Sequence, residues 1–193
     1  DNSLHRYAPS HSTMDSFYEY VGLILRARGT SRYVSKNNNN VLRLKSIKER
    51  FPDAFIICMF RHPLDQVISL DNMHRHFSKA QTSDYFIQSY MQFLSHYEFG
   101  LDRKSFNFQP NKLDDFDKDD ISFYLKNWIN CYQHLLSMQD LSIIFVNYND
   151  LCVNNDVWRK LFRKLELEYP GDPNILSKKS KDNGVKYDRN LMS

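Results

Sequence analysis

The apolar residues Met14, Phe17, Tyr18, Val21, Ile24 and Leu25 recur at helical spacing. Gly29 stands where a C-cap would end that helix. Residues 1–12 show no such period and read as an irregular lead-in. Arg32–Ser35 is a short strand candidate closing on Lys36, and Asn37–Asn40 reads as a turn. Val41–Arg50 follows as a short helix, broken by Phe51-Pro52-Asp53. Ala54–Phe60 (AFIICMF) is the longest apolar run, and its continuity predicts a strand buried on both faces. Pro63 suits the first turn of a helix that runs to about Phe77. Thr82–Tyr97 predicts another helix, and Gly100–Asp120 a polar loop. Ile121–Met138 is a long amphipathic helix with Tyr124, Trp128, Tyr132 and Leu135 on one face. Leu141–Val146 is the next buried strand, and Asn154–Leu167 a helix carrying Val157, Leu161, Phe162 and Leu165. Residues 170–193 form a polar basic tail with Lys178, Lys179, Lys181 and Lys186.

Strands separated by helices predict an α/β fold, with a central parallel sheet covered by helices on both faces. Such sheets bind ligands at the carboxyl ends of their strands. Those ends are Lys36-Asn37-Asn38, Arg61-His62-Pro63 and Asn147-Tyr148. A lysine, an arginine and a tyrosine there make a coherent site for an anion attached to a ring.

Composition narrows the function. The 193 residues suit one domain or a large part of one, and 41% hydrophobic with 15% aromatic content excludes a wholly disordered chain. No run of 18 apolar residues occurs, so no membrane span is expected. The net charge of +3 allows an anionic ligand without arguing for nucleic acid. Cys58, Cys131 and Cys152 give neither a disulfide framework nor a zinc site. With no Asn-x-Ser/Thr sequon, they point to a reducing cytoplasm. None of the five glycines lies in a phosphate-binding glycine loop.

In Arg61–Ser69 (RHPLDQVIS), an arginine at a strand end can clamp a phosphate through its fork, and Ser69 adds a hydroxyl donor. The alternative is an Arg61 paired with a nearby carboxylate such as Asp65. His74 and His76 flank Arg75 and face different ways on a helix, as an exposed or acceptor-facing pair rather than a metal site. His134 reads as structural, and the Tyr124/Trp128/Tyr132 stripe as core. The acidic run Asp114, Asp115, Asp117, Asp119, Asp120 fails the calcium-loop pattern, with Asp120 at the sixth position and Lys126 at the twelfth. Asp119 or Asp120 instead caps the helix beginning at Ile121.

The segment FPDAFIICMFRHPLDQVIS resembles the 3′-phosphate-binding segment of sulfotransferases that use 3′-phosphoadenosine-5′-phosphosulfate (PAPS). Arg61 and Ser69 match its arginine and serine. SRYVSKNNNNVLRLKSI resembles the family's strand–lysine–turn segment, with Lys36 on the lysine. IIFVNYNDLCVNNDVWRKLFRKLEL resembles its later strand followed by Tyr-Glu-Asp-Leu and a short helix, with Tyr148 on the tyrosine that lies against adenine. The resemblance covers roughly residues 33–167 and implies a P-loop-like, nucleotide-kinase-like α/β/α domain. The family's 5′-phosphosulfate loop is not among these residues and is expected upstream of Asp1. Residues 1–193 are therefore expected to be a single, N-terminally truncated domain, or a degenerate relative that lost the loop. The family's C-terminal Arg-Lys-Gly segment is not evident either, which leaves Lys178, Lys179 and Lys181 to the basic tail.

The resemblance implies sulfuryl transfer to a hydroxyl (or amine) of a carbohydrate or small-molecule acceptor, with PAPS as donor and no metal. Arg61, Ser69 and Tyr148 would bind the nucleotide, and Lys36 would neutralise charge on the leaving side. The general base is unassigned: Asn38 stands near the family's histidine position, and an amide is no base. His11 and Asp15 are candidates. The alternatives are a non-catalytic nucleotide-binding or interaction module and, last, an aromatic nucleic-acid binder. A cytoplasmic location is expected, or else the lumenal domain of a truncated membrane-anchored enzyme.

Overall fold

The computed structural model describes residues 3–108 and 121–171. Helix α1 (His11–Arg28) begins where the Ser10 hydroxyl accepts the Thr13 backbone N–H at 3.2 Å. The apolar period from Met14 misses this first turn, because a polar cap rather than a buried face sets the start. Gly29 closes the helix in the left-handed conformation with φ +60°, as expected.

The strand expected over Arg32–Ser35 does not form: residues 32–37 have no regular structure. Val34 is 89% exposed, and Tyr33 alone of the four is half-buried, edge-on to Phe17 of α1 rather than in a sheet. A 3₁₀ turn (Asn38–Leu42) and α2 (Leu44–Arg50) follow in place of one helix.

Two strands appear where none was expected. β1 (Ser3–His5) pairs in parallel with β3 (Ser105–Asn107), Ser3 opposite Ser105. Their buried residues are Ser3, Ser105 and Asn107, so no apolar alternation announces them. Helix α5 (Ile121–Ser137) serves β3 with side chains. Asn127 Oδ1 accepts the Phe106 N–H, and Asn130 Nδ2 donates to the Phe106 carbonyl.

β2 is shorter than its apolar run, Ile57–Phe60, and pairs in parallel with β4 (Ile144–Asn147). Burial on both faces is not realised, since Ile57 and Met59 are 42% and 49% exposed. On β4, Ile144 and Val146 are buried with Leu151, against Val157, Trp158, Leu161 and Leu165. These residues belong to α6 (Tyr148–Val153), α7 (Asn155–Lys164) and the turn after α7. Helix α6 was unforeseen, and the Asn147 and Asn154 side chains cap the two short helices separately.

α3 (Pro63–Ser83) outruns its expected end at Phe77, and α4 is Tyr85–Phe93. Asp84 sets the break: its carboxylate accepts the Phe86 N–H at 2.9 Å. α3 packs on α5 through a core of Val67, Phe123 and Tyr124, joined by Leu70, Ile121 and Leu125. Trp128 lies in the same layer and donates to Gln66 Oε1 at 3.2 Å. His134 stacks on Phe108, and burial, with Arg6 and Lys45 nearby, lowers its pKa.

The chain is thus α/β with parallel strands, arranged as two compact units. One comprises Asp1–Ile56 and His62–Ile143, with sheet β1–β3. The other comprises Ile57–Arg61 and Ile144–Ser193, with sheet β2–β4. The acidic run Asp114–Asp120 and the tail lysines lie outside the described residues. Among the described residues no helix is long and apolar enough to cross a membrane.

Gly100 shows the tolerance of the first unit. Its φ is +91°, and an added Cβ would meet the Gln81 amide at 2.4–2.8 Å. Gln81 Oε1 in turn accepts the Leu101 N–H. Gly100→Ala is expected to cost about 2 kcal/mol or more, from the positive φ and the displaced hydrogen bond together. Urea denaturation checks this; a loss below about 0.5 kcal/mol would show that the turn is not held as described.

Candidate functional site

The β2–β4 register sets Phe60 opposite Asn147, so both strands end side by side. The next residues are Arg61 and Tyr148. The Asn147 side chain accepts the Asn149 N–H at 2.9 Å and turns the chain into α6, making Tyr148 its first residue. The Arg61 guanidinium carbon lies 5.5 Å from the Tyr148 ring centroid. Arg61 Nε is buried and has no hydrogen-bond partner among the described residues. One turn along α6, the Cys152 side chain hydrogen-bonds Tyr148 and raises its pKa. The charge of Cys152 and burial add to this, and Arg61 opposes it. Tyr148 is therefore a neutral phenol at pH 7, offering a flat ring beside a cation. A guanidinium with an open N–H next to that ring can hold an anion attached to an aromatic base.

The structure brings Arg61 and Tyr148 together in the second unit. Ser69 and Lys36 belong to the first. Ser69 is the seventh residue of α3 and half-buried, whereas Lys36 is exposed in the irregular stretch rather than at a strand end. Asp65, the alternative partner considered for Arg61, lies in the first turn of α3, where a carboxylate suits the helix dipole.

Of the candidate bases, His11 is the exposed first residue of α1. Asp15 is ion-paired with Arg50 at 3.2 Å. His74 is no exposed partner of His76: its Nδ1 accepts the Gly100 N–H at 3.1 Å. The sequence reading missed a pair beside Asn38. Asn38 Nδ2 donates to Glu98 Oε1 at 2.9 Å, and Glu98 Oε2 lies 3.5 Å from His96 Nδ1. Both groups can hold a proton. No local signal marks them, because 60 residues separate Asn38 from Glu98.

Residues 5–105 match the model of a family described as the sulfotransferase family. The match spans Lys36, Arg61 and Ser69 and stops before Tyr148. It overlaps the resemblance read from the sequence over residues 33–105 and extends it upstream over α1 to His5. No curated protein and no solved structure matches the chain. Because the matched stretch exceeds half of the 193 residues, the chain belongs to the sulfotransferase family.

Proposed function

We propose that this sulfotransferase takes PAPS as donor and transfers its sulfuryl group to a hydroxyl (or amine) of a carbohydrate or small-molecule acceptor. The observation that carries this reading is the unpartnered, buried Nε of Arg61 beside the Tyr148 ring. That pair fits a nucleotide with a phosphate on its ribose. When bound, PAPS supplies an activated sulfuryl group on a nucleotide leaving group. Arg61 binds the 3′-phosphate with charge-assisted hydrogen bonds, and the resemblance names Ser69 as a further candidate donor. Tyr148 presents its ring to adenine. The resemblance gives Lys36 the part of offsetting negative charge on the leaving side. The protein's remaining task is to hold donor and acceptor in line. We take the compartment to be the cytoplasm, from the cysteine usage and the lack of sequons.

Two measurements test this: calorimetric titration of 3′,5′-ADP, and transfer from sulfur-labelled PAPS to a panel of saccharides and phenols. Binding and transfer together support the enzyme. Binding with no transfer across the panel favours a nucleotide-binding module, and no binding by folded protein removes the proposal.

Tyr148→Ala should weaken 3′,5′-ADP binding by about 1–3 kcal/mol, the worth of base stacking on an aromatic ring. Tyr148→Phe should bind nearly as well as the wild type, because it keeps the ring and loses only the contact with Cys152. Equal losses in the two variants would assign the effect to the hydroxyl instead.

A further inference from the structure

Among the described residues, one charged side chain is buried outright: Arg103, 3% exposed. It lies in the first unit, two residues ahead of β3, and has no role in the proposed nucleotide site. Its Nη1 donates to the Tyr124 hydroxyl. Its guanidinium carbon sits 4.2 Å from the Phe123 ring centroid and 4.9 Å from that of Tyr124. Nε and Nη2 are buried and have no hydrogen-bond partner among the described residues. The adjacent carboxylate, Asp102, is occupied elsewhere: Gln88 and Gln92 each donate to its Oδ2 at 2.9 Å.

The two open atoms are not a random pair. Nε and Nη2 share one edge of the planar fork, and their N–H bonds run side by side. That is the edge which takes two oxygens of one carboxylate, phosphate or sulfate. Aromatic faces and one phenol offset part of the cost of burying a cation, but they leave these two donors stripped of water. An oxyanion satisfies both donors and cancels the charge.

The turn that delivers Arg103 is pinned from α3. Gly100 N–H donates to His74 Nδ1 at 3.1 Å, and Leu101 N–H to Gln81 Oε1 at 2.6 Å. Arg103 N–H closes the turn on the Gly100 carbonyl at 3.2 Å. The guanidinium is thus set in place before any ligand arrives, which lowers the cost of binding.

We propose that the Nε–Nη2 edge of Arg103 is an oxyanion-binding site, built by residues other than those assigned to PAPS. It takes a group the size of sulfate or a carboxylate. Its burial favours a small free ion over a substituent on a large acceptor.

Thermal unfolding of the full chain tests this in sodium sulfate and in sodium chloride of equal ionic strength. Sulfate is expected to raise the wild-type Tm saturably, by about 5 °C or more at a hundredfold excess over Kd. Arg61→Ala should show the same rise, and Arg103→Met none beyond chloride. Should Arg103→Met fail to fold, Arg103→Lys keeps the charge without the fork, and its sulfate Kd should be about tenfold weaker or more. A rise that disappears in Arg61→Ala and persists in Arg103→Met overturns the proposal, as does an equal wild-type response to both salts. Glucose 6-sulfate separates the sources: a response to inorganic sulfate alone means a free ion, and a response to both means that the site also takes an anionic substituent.

Discussion

Arg61→Ala is expected to weaken 3′,5′-ADP binding by about 2–3 kcal/mol, roughly 30- to 160-fold, with little change in folding stability. The size follows from what the side chain offers. Its Nε is buried and unpartnered, so it has given up water without gaining a protein acceptor. A phosphate oxygen would restore that bond with a charge-assisted one. Stability should barely move, because Arg61 follows the last paired residue of β2 and its side chain is absent from the apolar cluster of that unit. Arg61→Lys should recover only part of the affinity, since a point charge replaces a fork. Titration calorimetry of the three proteins, with urea midpoints alongside, reads both quantities. Unchanged affinity in a folded Arg61→Ala would remove this residue from the nucleotide site.

Tyr124→Ala is expected to cost about 3–5 kcal/mol of folding stability, a large share of the roughly 5–15 kcal/mol that holds a domain together. The ring is 2% exposed and packs with Val67 and Phe123, meeting the Phe123 ring edge-on at 5.3 Å. Its removal opens a cavity between α3 and α5. It also takes away the one hydrogen-bond acceptor that the described residues give the buried Arg103 guanidinium. The two costs separate experimentally. Tyr124→Phe keeps the ring and loses the hydroxyl, and should cost about 1–3 kcal/mol. Urea denaturation of both variants checks this; a Tyr124→Ala loss under about 1 kcal/mol would mean that this layer is not the core of its unit.

The elements read correctly from sequence were those whose signal is local. α5 shows an apolar stripe over four turns, and its buried Tyr124 and Leu135 stand where that stripe placed them. Gly29 ends α1 because a left-handed backbone favours a residue without a side chain. Arg61 follows an apolar run into a Pro63 helix start, a sequence visible without coordinates. The misreadings have separate causes. β1 and β3 are three residues each and bury serine and asparagine, so their partners stabilise them rather than their own hydrophobicity. Arg32–Ser35 has the composition of a strand, yet residues 32–37 take no regular structure. The division of Tyr148–Lys164 into two helices depends on one asparagine cap.

By itself, the sequence determined the α/β class, the main helices, the family and the identity of the arginine, serine, lysine and tyrosine worth testing. The class and the helices rest on spacing within a few residues, where helical and extended periods act directly; the family and the roles of the four site residues rest on the resemblance of three short segments. The tertiary structure alone decided that Phe60 lies opposite Asn147, and hence that Arg61 meets Tyr148. It alone set Glu98 beside Asn38 and buried Arg103 with one edge of its fork open. Those pairings join residues tens of positions apart. Their energies come from contacts that exist only once the chain has closed on itself, so no local pattern in the sequence can encode them legibly.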